Sequence, residues 1–102
     1  MKLLIGIPTG GQPTRPFLDA LAQLQLPDTV TEADRLVWSG NAVAVQRDMI
    51  ARDAVARGSD LLAMIDDDIV MPPDTLVRLI AALQDDPQAA VAGALYYSRD
   101  SA

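Results

Sequence analysis

Three consecutive acids, Asp66, Asp67 and Asp68, stand between an apolar run at 61–65 and the sequence Pro72-Pro73-Asp74. Adjacent carboxylates repel one another, so a buried strand running into three of them needs something to offset the repulsion. A divalent cation held at the carboxyl end of the strand is the simplest such counter-charge. The chain has no His and no Cys, so imidazole and thiolate ligation are excluded. An all-oxygen site favours Mg²⁺, Mn²⁺ or Ca²⁺ over zinc. Side chains alternate in an extended segment, which places Asp66 and Asp68 on one side and Asp67 on the other. Asp66 and Asp68 are therefore the expected metal ligands, with Asp68, further out, the more direct. Asp67 is left to cap the next helix or to pair with an Arg. The plain alternative is a solvated acidic turn.

A second stretch with chemical potential is Pro8-Thr9-Gly10-Gly11, which ends the apolar run at 2–7. Paired glycines let a backbone approach a ligand closely, and they also make an ordinary strand-to-helix turn. Arg47 is the third feature. At helical spacing it falls beside Val43, Ile50 and Ala54, so its guanidinium either snorkels to water or reaches an anion. Trp38 closes a short strand pattern, where an aromatic ring serves either as a core or rim residue or as a stacking surface.

The elements that must position these groups are legible in the hydrophobic pattern. Residues 2–7 read as a strand buried on both faces, and 14–25 as a helix with Thr14 as N-cap and Pro16 in the first turn. Its apolar stripe is Phe17, Leu18, Leu21 and Leu24. Residues 35–38 read as a short strand, and Asn41 as a cap for a helix over 42–57 that stops at Gly58. That helix carries the i,i+4 pairs Asp48–Arg52 and Asp53–Arg57. A third strand at 60–65 reads as buried on both faces. A helix over 72–83 follows, with Asp74 in its first turn, and then a fourth strand at 89–96. The order βαβαβαβ predicts an α/β fold, a three-layer Rossmann-like parallel sheet with right-handed crossovers. Ligands of such sheets bind outside the carboxyl ends of the strands. If the first and third strands are neighbours, the glycine loop and the acids face one crevice. A diphosphate over the glycines and a metal between its oxygens and the acids would fill it.

The 102 residues form one domain, with half of them apolar and only four aromatic. The net charge is −6 and the cations are scattered, so nucleic acid and anionic membranes are poor partners. The apolar N-terminus breaks at Gly6 and Pro8 without a cleavage site. No segment approaches the ~20 apolar residues of a membrane span, so no membrane insertion and a soluble, cytoplasmic protein are expected.

The pattern resembles the nucleotide-sugar-binding half of GT-A fold glycosyltransferases, especially family 2 and family-2-like proteins. The matching residues are Ile5-Gly6-Ile7-Pro8-Thr9-Gly10-Gly11, then Arg47 and Ala54, then Gly58-Ser59-Asp60 leading into Asp66-Asp67-Asp68, then Pro72-Pro73-Asp74-Thr75-Leu76. Val91-Ala92-Gly93-Ala94-Leu95-Tyr96-Tyr97-Ser98-Arg99 looks like that family's next strand. The resemblance implies a metal-dependent glycosyltransferase domain that binds a nucleoside-diphosphate sugar, a UDP-sugar favoured, through an Asp-x-Asp motif. Mn²⁺ or Mg²⁺ would sit on Asp68 aided by Asp66. Asp66 could instead bond a ribose, Asp67 belongs to the same nucleotide-binding set, Pro8, Thr9, Gly10 and Gly11 would meet the nucleotide, and Arg47 its base or phosphates.

The sequence departs from the family in two places. An acidic pair that contacts base and ribose in many members is replaced by Trp38-Ser39-Gly40-Asn41. The half that binds the acceptor and supplies the catalytic base would follow Arg99, so the resemblance implies a truncated or minimal domain whose expected activity is slow sugar-nucleotide hydrolysis. A non-catalytic, self-associating module of the same fold is the alternative, since an uncovered apolar sheet edge invites homo-oligomers. A phosphoacceptor receiver domain fits poorly. It expects acids after the first strand and a late Lys, whereas the sole Lys here is Lys2.

Overall fold

The computed structural model describes residues 1–40 and 42–94. Strands β1 (Lys2–Pro8), β2 (Glu32–Trp38) and β3 (Leu61–Met64) alternate with helices α1 (Arg15–Ala22), α2 (Val43–Ala56) and α3 (Thr75–Asp85). The sheet is parallel, in the order β2-β1-β3. Pairing runs from Lys2↔Glu32 to Pro8↔Trp38 on one side of β1 and from Leu3↔Leu61 to Gly6↔Met64 on the other. The first and third strands are therefore neighbours, and the loops that follow them leave the same end of the sheet.

β1 takes the centre because it is apolar toward both faces. Leu3, Ile5 and Ile7 pack with Phe17, Leu21, Leu76 and Ile80 in one buried cluster, which places α1 and α3 on a common face. The opposite face carries α2. There Gly6 lies directly beneath Ile50, and a Cβ at Gly6 would fall 2.3 Å from Ile50 Cγ2. Glycine is what allows α2 to sit this close to the sheet. Burying each large apolar side chain contributes about 1.5–3 kcal/mol, so the two faces together hold the three layers. Chain direction explains the layering. β1 to β2 moves one way across the sheet and β2 to β3 moves back across β1, and right-handed crossovers then put α1 and α2 on opposite faces.

Local signals act largely as expected in the helices. Thr14 caps α1 by accepting the Phe17 N–H, with Pro16 in the first turn. Phe17 and Leu21 are buried, whereas Leu18 of the predicted stripe is exposed. In α2, Ile50 and Ala54 are buried but Val43 is exposed, and the pairs Arg52–Asp48 and Arg57–Asp53 form. Its cap position is Ala42, without a side-chain bond; Asn41, the predicted cap, lies outside the described residues. α3 starts later than predicted. Asp74 takes the N-cap position, where its backbone carbonyl accepts the Arg78 N–H at 3.0 Å but its side chain makes no capping bond, and its carboxylate pairs with Arg78 at 3.1 Å.

The strands show three corrections. β2 has seven residues, not the four at 35–38, and most of its side chains are exposed. Backbone pairing with β1 holds it, and that leaves no hydrophobic signature. Among the described residues β3 is an edge strand with one face open, not buried on both. Leu62 and Met64 are partly exposed and, with Ile69, Leu76, Leu83 and Val91, line an apolar groove of about 460 Å³. Residues 89–94 of the predicted fourth strand are not in a strand; the rest of that span lies outside the described residues. α3 shares the face of the sheet that carries α1. Among the described residues no helix is long and apolar enough to cross a membrane.

Candidate functional site

The carboxyl end of the sheet brings together the loop after β1, the first turns of α2 and the acidic loop after β3. Thr9 sits at the junction and is only 2 % exposed. Its N–H donates to Trp38 O at 2.9 Å, which continues the β1–β2 ladder. The same N–H also donates to Gln46 Oε1 at 2.8 Å, and Gln46 Nε2 donates to Thr9 O at 2.9 Å. Gln46 is wholly buried, so its amide grips the Thr9 backbone much as a strand residue would. The Thr9 hydroxyl donates to Asp67 Oδ2 and accepts the Gly11 N–H at 3.2 Å. Every polar group of Thr9 is thus engaged within the protein.

The three acids start just beyond the sheet. The Ile65 N–H still donates to Gly6 O at 3.0 Å, but β3 ends at Met64 and Asp67-Asp68 form a turn. Strand alternation therefore does not reach them, and each acid has its own surroundings. Asp66 Oδ1 accepts from Arg47 Nη2 at 2.8 Å, in a pair whose side chains are 50 % (Arg47) and 35 % (Asp66) exposed. Asp67 accepts the Thr9 hydroxyl through its carboxylate, while its backbone carbonyl accepts the Thr14 N–H at 3.2 Å. Among the described residues Asp67 neither caps α3 nor pairs with an Arg; it joins the acidic loop to the β1 loop and to the start of α1. Asp68 is exposed and has no hydrogen bond or ion pair among the described residues.

Of the residues singled out from the sequence, Pro8, Thr9, Arg47, Asp66 and Asp67 thus meet around one crevice. Gly10 and Gly11 form its exposed lip, with open space where a side chain would stand. Trp38 is a half-buried rim residue paired with Pro8. Two residues that shape the site were missed. Gln46 is polar, but three residues after Val43 and four before Ile50 it falls on the predicted apolar side of α2, and that spacing was the available signal. Gly6 was hidden inside an apolar run, where a lone glycine marks a close approach.

The donor set suits a hard cation. It is all oxygen, Asp68 has no partner among the described residues, and Asp66 is held by one half-exposed Arg. Among the described residues no three carboxylates converge, so a cation here would complete its coordination with ligand or water oxygens.

No protein-family model matches the chain, no curated protein matches it, and no solved structure matches it.

Proposed function

We propose that the crevice binds a nucleoside-diphosphate sugar, a UDP-sugar favoured, with a divalent cation, in the manner of the donor half of a GT-A glycosyltransferase. The observation that carries the reading is the convergence of the Thr9–Gly11 loop and the Asp66–Asp68 loop at the carboxyl ends of two adjacent parallel strands, joined by the Thr9–Asp67 bond. This is where parallel α/β sheets hold nucleotides. Gly10 and Gly11 offer open backbone for a diphosphate. The first turn of α2, whose cap position Ala42 makes no side-chain bond, adds N–H groups of the right polarity. Asp68 and Asp66 are the residues to hold Mg²⁺ or Mn²⁺, which when bound would neutralise the diphosphate and act as a Lewis acid on the leaving group. Thr9 and Asp67 support the walls, since their side chains are already bonded to each other. Transfer to an acceptor also needs a general base, and none is assigned among these residues; hydrolysis of the sugar nucleotide is the activity proposed for the chain by itself.

Nucleotide binding, with and without Mn²⁺, in the wild type and in Asp68→Asn tests this. Binding that is tightest with Mn²⁺ and loses that dependence in Asp68→Asn supports it. Equal affinity in all four cases would sink it.

A second reading is favoured by the apolar groove beside β3, where Leu62, Met64, Val70 and Val91 are exposed. A self-associating module would bury them. A clean monomer in sedimentation at high concentration argues against it.

A further inference from the structure

Arg47 is the ion-pair partner of Asp66. Its guanidinium lies 2.8 Å from Asp66 Oδ1, on the acid two residues before Asp68. Asp68 has no hydrogen bond or ion pair among the described residues. The two acids are thus unequally neutralised, one by a built-in cation and one by solvent alone. An ion pair half open to water is cheap to break, and a divalent ion attracts a carboxylate more strongly than a guanidinium does at equal distance.

We propose that Arg47 is a resident counter-ion of the acidic loop that is displaced from Asp66 when a divalent cation binds, and that the released guanidinium then serves the anionic ligand of that cation. This rests on the cation-binding reading of Asp66 and Asp68. It gives Arg47 two partners in succession. Before loading, the guanidinium offsets the repulsion among the acids. After loading, that repulsion is offset by the metal, and a positive charge becomes available beside the glycine lip. Gln46 makes the exchange local. The adjacent residue of α2 is locked to the Thr9 backbone at 2.8 and 2.9 Å, so the helix stays seated while the Arg47 side chain changes partner. Cation and diphosphate are coupled as a result, since the first to bind frees the charge that the second uses.

Two measurements on the full chain test the exchange. In the first, Mg²⁺ is titrated into the wild type while the Arg47 Nε–Hε signal is followed by NMR, which needs no variant. The proposal expects this signal to shift and its hydrogen exchange to quicken in step with cation binding. In the second, Mn²⁺ affinity is measured for the wild type, Arg47→Gln, Arg52→Gln and Asp68→Asn. Arg52 sits on the same helix and pairs with Asp48 at 2.9 Å, so its variant removes the same charge without touching Asp66. Arg47→Gln should bind Mn²⁺ about threefold to tenfold more tightly, as expected for the loss of a modest competitor, and Arg52→Gln should match the wild type. Equal affinities in Arg47→Gln and the wild type, with binding lost in Asp68→Asn, overturn the exchange and leave the cation site standing. The same gain in both arginine variants overturns it as a bulk charge effect. Weaker binding in Arg47→Gln overturns it by making Arg47 a support of the site. Failure of every variant and the wild type to bind Mn²⁺ removes the cation reading and the exchange together.

Discussion

The two walls of the crevice use their polar groups in opposite ways. On the β1 wall, Thr9 spends its N–H, carbonyl and hydroxyl on Trp38, Gln46, Asp67 and Gly11. On the β3 wall, Asp66 holds one half-exposed Arg and Asp68 holds nothing among the described residues. A buried polar group must find its partners inside the protein, whereas an exposed one keeps its capacity for a ligand. The difference assigns the walls separate tasks: the first sets the shape of the crevice, and the second carries its unspent charge.

That division can be broken most severely from below. Gly6→Ala would push a Cβ to within 2.3 Å of Ile50 Cγ2 and lift α2, which carries both Gln46 and Arg47. Overpacking of this kind costs about 1–3 kcal/mol. For a domain of this size each kcal/mol lowers Tm by roughly 4–8 °C, so a thermal melt should show the largest loss of the series. An unchanged Tm would mean that α2 is not held by close approach. Gln46→Leu attacks the β1 wall alone. It leaves the buried Thr9 carbonyl without the Gln46 donor, at a cost of about 1–3 kcal/mol, read as a lower urea midpoint with faster amide exchange at Thr9. The β3 wall should respond least. Asp68→Asn changes an exposed side chain with no partner among the described residues, so stability should stay within about 0.5 kcal/mol of the wild type while cation binding is lost. Equal destabilisation by Gln46→Leu and Asp68→Asn would erase the distinction between the walls.

The parts of this arrangement that were legible in the sequence are those that leave a hydrophobic or capping signal. β1 showed as a short apolar run and α1 as Thr14 followed by the Phe17 and Leu21 stripe, whereas the neighbouring of β1 and β3 entered only as a condition that the sheet order meets. What escaped was held by other forces. β2 is an edge strand that faces water with Glu32, Asp34 and Arg35, so its length is fixed by backbone pairing that no side chain announces. The separate fates of the three acids were hidden because strand alternation was extended past Met64 into a turn. The partner of Asp66 comes from α2 and that of Asp67 from β1, contacts that only tertiary packing decides. The geometry adds that Asp67 is a tie between loops.

A crystal structure with UDP and Mn²⁺ tests the central claim most directly, because the anomalous signal of manganese locates the metal independently of the nucleotide. The account predicts a manganese peak bonded to Asp68 with the diphosphate over Gly10 and Gly11. A peak on the other acidic pair, Asp85-Asp86, or a nucleotide seated away from the crevice, would contradict it.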